Sequence, residues 1–264
     1  MKRIFHKYNA ITHGSAFLIT LLVLMFFSAC SAVTIDNDSP PEKQFEEGER
    51  LLKKERYLEA VERYRILKSR FPYSKYAALA TLRIGDAHYE EEAFLEASGA
   101  YKIFRELYPK HEMSAYALYR IGESQMHLVP SSPDRDLDSA YAAIDAYQDL
   151  EKNYPNSQYT TEAKQKIQQL RAKLADKEDY IGNFYFVRNN FLAAANRYKY
   201  ILDVYPGFGH EEKSLYRLAF SYEKIGDTTK AEEVLERLKM EFPKGKFSEQ
   251  AENLSKKIQL EKKE

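Results

Sequence analysis

The 264-residue sequence predicts an all-α fold, a solenoid of five helix pairs (about ten helices) that follows a signal peptide and a short tether. Three observations carry that expectation. Beyond residue 41 the chain is rich in Ala, Leu, Glu, Lys and Tyr and has few glycines. No run of alternating β-branched residues is long enough for a strand. Apolar residues recur three and four apart instead, as in Leu58, Val61, Tyr64 and Leu67, which is one stripe of an amphipathic helix. The chain also repeats itself. An aromatic residue followed by proline occurs at Phe71-Pro72, Tyr108-Pro109, Tyr154-Pro155, Tyr205-Pro206 and Phe242-Pro243.

Counting back from each proline fixes the register. Twelve residues earlier stand Ala60, Ala97, Ala143, Ala194 and Ala231. Eight earlier stand Tyr64, Tyr101, Tyr147, Tyr198 and Leu235. Twenty-four earlier stand Gly48, Gly85, Gly182 and Ala219, and the third repeat breaks the pattern with Ser131. This is tetratricopeptide spacing. The small residue lets the first helix of a pair come close to the second, and the alanine does the same from the other side. The aromatic residue one turn later is expected to fill the wedge between repeats. Proline stops the second helix, because it has no N–H and restricts the residue before it.

Two departures locate extra chain. The third repeat starts on time at Gly122, thirteen residues after Pro109, yet Gly122 and Ala143 are 21 apart where other repeats have 12. Nine extra residues therefore fall near the turn, in HLVPSSPDRD (His127–Asp136), a Pro/Ser-rich loop. The fourth repeat starts late, with 27 residues between Pro155 and Gly182 where 13 is usual. The intervening TEAKQKIQQLRAKLADKEDY has no proline or glycine and reads as one long helix. The charged tail from Ser248 reads as a helical, solubilising cap. The expected organisation is 1–29 removed, 30–41 a lipidated cysteine and tether, and 42–264 a single solenoid.

The N-terminus has its own logic. Lys2, Arg3 and Lys7 precede an apolar run from Ala16 to Phe27, then the small residues Ser28 and Ala29, then Cys30, the one cysteine in the chain. Positive region, apolar core and small residues before a cut are the secretory pattern. The run is short for a membrane span of about 20 residues. The stretch resembles a bacterial lipoprotein signal, in which the Cys30 thiol takes a diacylglycerol and the chain is cut before it. A plain signal peptide with an incidental cysteine, or a short anchor, is the other reading. By resemblance to Gram-negative sorting rules, Ser31 after the cysteine favours the outer membrane over the inner one. Ser31 to Pro41 is polar and ends in two prolines, as a tether would.

Loss of residues 1–29 removes three of the 40 basic residues and none of the 40 acidic ones, leaving 37 against 40, a net charge of −3. That balance gives no electrostatic reason to expect nucleic acid or a polybasic membrane patch. No glycine-rich phosphate loop, nucleophile elbow or paired-histidine zinc motif is present. His88, His111, His127 and His210 are too far apart for helical metal-ligand spacing, and His88 occupies an aromatic packing position. Asp134-Arg135-Asp136 reads as a loop ion pair or helix cap. The chain is therefore not expected to be an enzyme or to hold a cofactor or metal. Its 21 tyrosines divide between repeat packing and a groove surface, where tyrosine gives large contact area at low entropic cost.

A lipoprotein signal, a short tether and five tetratricopeptide repeats together resemble the BamD family (also called YfiO or ComL) of the outer-membrane β-barrel assembly machine. YPNSQYTTEA (Tyr154–Ala163) and the preceding DRD resemble that family's third repeat. KLADKEDYIGNFYF (Lys173–Phe186) and AANRY (Ala194–Tyr198) resemble its fourth. The resemblance implies a scaffold at the periplasmic face of the outer membrane. Its implied partners are the BamA periplasmic domain, other assembly-machine lipoproteins and unfolded outer-membrane β-barrel proteins. It assigns Arg197, in the Asn196-Arg197 pair, to a salt bridge with BamA. Phe71, Tyr73 and Tyr76 fall in the segment it places at the substrate-binding end. A periplasmic tetratricopeptide lipoprotein coordinating cell-wall synthesis or division is the competing expectation, because the repeats alone do not separate the two.

Overall fold

The computed structural model describes residues 36–262, so Cys30, the signal peptide and the first part of the tether lie outside the described residues. Eleven helices make up the described chain: α1 (Pro41–Lys53), α2 (Tyr57–Arg70), α3 (Lys75–Glu90), α4 (Phe94–Leu107), α5 (Ser114–His127), α6 (Asp138–Asn153), α7 (Thr160–Phe186), α8 (Phe191–Val204), α9 (Glu211–Lys224), α10 (Thr228–Glu241) and α11 (Ser248–Glu261). Successive helices pair in sequence order, and the first helices of successive pairs also touch, α1 with α3, α5 with α7, and α7 with α9. The first helices therefore line the inner side of the curve. The expectation of about ten helices is one short because the tail from Ser248 makes a full helix of its own. It buries Ala251, Leu254 and Ile258 on the last pair and keeps a charged outer face.

The five second helices end in the same way. Phe71, Tyr108, Tyr154, Tyr205 and Phe242 all sit at φ between −136 and −122 and ψ between 48 and 59. The following proline excludes each of them from the helical region. Each still donates its N–H to the residue four back, Leu67, Phe104, Leu150, Ile201 or Leu238, so one last helical bond forms before the stop. The turn inside a pair has its own rule. Glu55, Glu92, Asn189 and Gly226, each seventeen residues before its proline, have φ of 59, 60, 58 and 83. Only the third repeat lacks this left-handed residue, and there the insertion makes the connection. Asp136 accepts from the N–H of Asp138 at 3.0 Å, and Lys177 of α7 donates to the Arg135 carbonyl at 3.1 Å. Leu137 is buried between them.

The repeat residues form the core. The tyrosine ring packs against the glycine of its own pair and shares a buried cluster with the next first helix, Tyr64 with Ala77 and Ile84 and Tyr101 with Ala117 and Ile121, so it fills the space between repeats as expected. A methyl group built on Gly85 would stand 2.7 Å from the ring of Tyr101, and on Gly48 or Gly122 it would come closer still to Tyr64 or Tyr147. At Gly182 the distance to Tyr198 is 3.0 Å. All four rings are fully buried. The fifth pair changes both partners together: Ala219 replaces the glycine and the smaller Leu235 replaces the tyrosine, and both are buried in one cluster. Gly99 of α4 is the contrast, a helical glycine whose added methyl would meet nothing within 4 Å.

This contact predicts a graded result. Gly122→Ala should cost about 1–3 kcal/mol in urea unfolding, since the ring of Tyr147 must move. Adding Tyr147→Leu, which reproduces the Ala219–Leu235 pair, should recover part of that loss. Gly99→Ala should instead stabilise by about 0.5–1 kcal/mol. The buried phenols also set an alkaline limit. Burial pushes the Tyr198 hydroxyl up to about 12 and the Tyr64, Tyr101 and Tyr147 hydroxyls further still. Unfolded tyrosine titrates near 10, so the neutral phenols stabilise the fold fully below that pH, and the contribution falls as pH rises through the folded values. The urea midpoint, followed by circular dichroism, should be flat up to about pH 10 and drop above it.

Candidate functional site: a polar spine and two surface patches

The residue after each core glycine of the first helices is polar: Glu49, Asp86, Glu123 and Asn183. Because the tyrosine ring lies on the glycine, its hydroxyl reaches that neighbour in the first three repeats. Tyr64 Oη donates to Glu49 at 2.5 Å, Tyr101 Oη to Asp86 at 2.6 Å, and Tyr147 Oη to Glu123. A cation from the next first helix completes most of the joints. Arg83 Nε donates to Glu49 at 2.9 Å while its Nη1 donates to Asp86 at 2.7 Å. Lys166 pairs with Glu123 at 2.7 Å, and Arg217 Nη1 donates to Asn183 Oδ1 at 2.9 Å. Arg120 donates to Tyr101 Oη at 3.2 Å and stacks over the Tyr89 ring at 3.4 Å.

This spine ties each repeat to the next along the inner face. Each of its carboxylates accepts from a phenol and from a cation, which makes it a joint between helices. The sequence reading missed it. The signal was present as an acid directly after glycine and an arginine two residues before the next one, at Arg83 and Arg120.

The histidines do not converge. His127 stacks on Phe94 at 4.2 Å, His210 pairs with Asp176 at 2.8 Å, and His111 Nδ1 accepts from the Met113 N–H at 3.1 Å. His88 is partly buried, and desolvation lowers its pKa. Among the described residues no group of three or more His, Cys, Asp or Glu is placed to hold a metal ion.

The singled-out surface residues lie in two separate repeats. Phe71 is the cap of α2 and half-buried. Tyr76, in the first turn of α3, donates to Glu42 at 2.9 Å and its ring lies 5.5 Å from that of Phe45. Tyr73, in the turn between them, is 101% exposed. The same end holds the last part of the tether: Gln44 donates to the Asp36 carbonyl at 2.8 Å, and Arg70 pairs with Asp38. Asn196 and Arg197 lie on α8, where they line a shallow depression with Tyr185, Ala193 and Tyr200. Arg197 Nη1 donates to Glu178 Oε2 of α7 at 2.9 Å; the arginine side chain is 42% exposed and the glutamate 8%. Arg197 is therefore half of an ion pair with a buried carboxylate, which the sequence reading did not foresee. Glu178 sits nineteen residues upstream on another helix, so no local spacing pointed to it.

The chain is similar to known proteins along most of its length. A family model described as YfiO, outer membrane lipoprotein, matches residues 37–238. The outer membrane protein assembly factor BamD of Neisseria meningitidis serogroup A / serotype 4A is 31% identical over 246 residues, covering 87% of this chain and 92% of the relative. BamD of Caulobacter vibrioides is 28% identical over 226 residues, covering 86% and 74%. Among solved structures, the TPR2AB domain of yeast Sti1 is similar at 15% identity and a TM-score of 0.41, over 83% of this chain and 98% of that one. No described helix is long and apolar enough to cross a membrane. By the length of the family match and the identity to its relatives, this chain belongs to the YfiO family of outer membrane lipoproteins.

Proposed function

We propose that the protein is a lipid-anchored, non-catalytic scaffold of the outer-membrane β-barrel assembly machinery. The single observation that carries this reading is the family match over 37–238, joined to relatives that are named outer membrane protein assembly factors. Cys30 bears the lipid. Several acyl chains hold stably where one is marginal, at about 0.8 kcal/mol per buried CH₂. The fourth repeat engages the periplasmic domain of BamA through Asn196 and Arg197. The first-repeat segment of Phe71, Tyr73 and Tyr76 takes unfolded β-barrel proteins, with the exposed Tyr73 as the first contact.

The mechanism needs geometry rather than bond chemistry. Substrate held weakly at one end of a stiff solenoid and BamA held at a later repeat are kept at a set spacing. The second encounter then happens at a high effective concentration, without any new contact. The inner spine supplies the stiffness. It joins repeats by ion pairs and phenol–carboxylate hydrogen bonds along the side where first helices meet.

Two experiments test this. Cells fed an alkyne-tagged palmitate should label the wild-type protein and not Cys30→Ala, and absence of label on the wild type would remove lipidation from the account. For the partner site, Arg197 is best removed together with its buried carboxylate, because replacing both partners of a pair costs little while stranding one costs more. Wild type and Glu178→Gln/Arg197→Gln are used as bait in detergent-solubilised outer membranes. BamA should co-purify with wild type and be lost from the double variant. Recovery of cell-wall enzymes in place of BamA would sink the assembly reading.

A further inference from the structure

We propose that Glu178 is the positioning residue of the partner site: it holds the Arg197 guanidinium so that Arg197 bridges this buried carboxylate and an acidic group of the partner. The inference rests on the proposed contact between the fourth repeat and BamA. Its starting point is that Arg197 is not a free surface charge. One hydrogen bond leaves from Nη1 to Glu178 at 2.9 Å, and among the described residues Arg197 makes no other. A guanidinium has five N–H donors in a planar fork. Nε and Nη2 carry further donors, and Arg197 itself lines the depression together with Tyr185, Asn196 and Tyr200.

Burial decides how the pair behaves. The Glu178 side chain is 8% exposed, and Arg197 is its one ion-pair partner among the described residues. Pulling Arg197 away to meet a partner would leave a buried carboxylate unpaired, which is strongly unfavourable. Arg197 therefore has to bind outward while staying on Glu178. A long side chain already fixed at one end loses less freedom on binding than a free one. Arginine is the residue suited to this, because its fork meets two acceptors at once where an ammonium is a point charge. The chemistry expected of the partner is a carboxylate set between groups that pack on the two tyrosines.

The test titrates the BamA periplasmic domain onto the full mature chain and compares wild type, Glu178→Leu, Glu178→Gln, Arg197→Lys and the double variant Glu178→Leu/Arg197→Lys. Thermal melts confirm that each is folded. Glu178→Leu leaves Arg197 charged but unanchored, and affinity should fall about three- to tenfold. Glu178→Gln keeps an acceptor and should retain most of the affinity. Arg197→Lys keeps the charge and loses the fork, and should weaken binding by about tenfold. The double variant should be no weaker than Arg197→Lys alone, since Glu178 acts only through the guanidinium. A purely structural glutamate would give additive losses, and that result overturns the inference. Unchanged or tighter binding by Glu178→Leu also overturns it, because Glu178 would then compete for Arg197. If Arg197→Lys and Glu178→Leu/Arg197→Lys both bind as wild type does, the proposed contact fails along with the inference.

Discussion

The contact of a tyrosine ring with a bare helix backbone is the constraint on which the rest depends. Without a side chain at Gly48, Gly85, Gly122 or Gly182, the two helices of a pair come close enough to trap the ring completely. In the first three repeats the depth of the ring then determines where its hydroxyl emerges, which is beside the carboxylate that follows the glycine, Glu49, Asp86 or Glu123. Packing of an apolar face thus places a polar group, and the polar group is where the next repeat attaches. One steric choice, repeated, gives both the core and the joint between units. The fifth pair shows what happens when the choice changes: with Ala219 and Leu235 there is no phenol, and Phe220 stands where the carboxylate would be. It packs on Phe186 at 5.3 Å instead.

How much of this was legible in the sequence depends on whether a residue's partner is fixed by local spacing. The helix ends were legible, because proline acts on its immediate neighbour, and all five aromatic-proline pairs terminate a helix as the chemistry requires. The long α7 and the loop after α5 followed from counting against the repeat. The left-handed residue in each turn was not legible. Glu55 and Glu92 occupy it, and glutamate carries none of the signal that glycine gives at Gly226. The turn's length and the helices on either side impose that conformation. The inner spine was half-visible, since its acids stand in register with the glycines but their cations come from the next repeat. Glu178 was invisible for the same reason taken further. Its partner lies on a different helix, and in sequence it is one more charge in a charged stretch.

The spine also bears on what kind of protein this is. A buried or half-buried carboxylate is often a sign of chemistry, since active sites hold such groups with perturbed affinities for protons. Here the same environment has a different use. Asp86 accepts from both Tyr101 and Tyr116 and pairs with Arg83, and Glu123 accepts from Tyr147 and pairs with Lys166. Each is held by groups of the protein itself, from its own pair and from the next. Its contribution is angular: it resists rotation of one pair against the next, which hydrophobic contact alone does weakly because it is non-directional. A solenoid whose repeats touch only their neighbours needs such directional joints if its two ends are to keep a set separation.

The ion pair of Arg197 and Glu178 shares its exposure pattern with part of the spine. Arg197 is 42% exposed above Glu178 at 8%, and Arg83 is 37% exposed above Asp86 at 7%. What separates the two arginines is the number of carboxylates each holds: Arg83 reaches Glu49 as well as Asp86, and among the described residues Arg197 reaches Glu178 alone. A carboxylate this buried keeps its cation, because leaving it unpaired is costly. Arg83 uses its second donor on the neighbouring repeat at Glu49, and Arg197 has further donors left over. The inner face uses charge to hold the protein's own repeats together, and under the proposed partner contact the fourth repeat would offer the remaining donors of Arg197 to another chain.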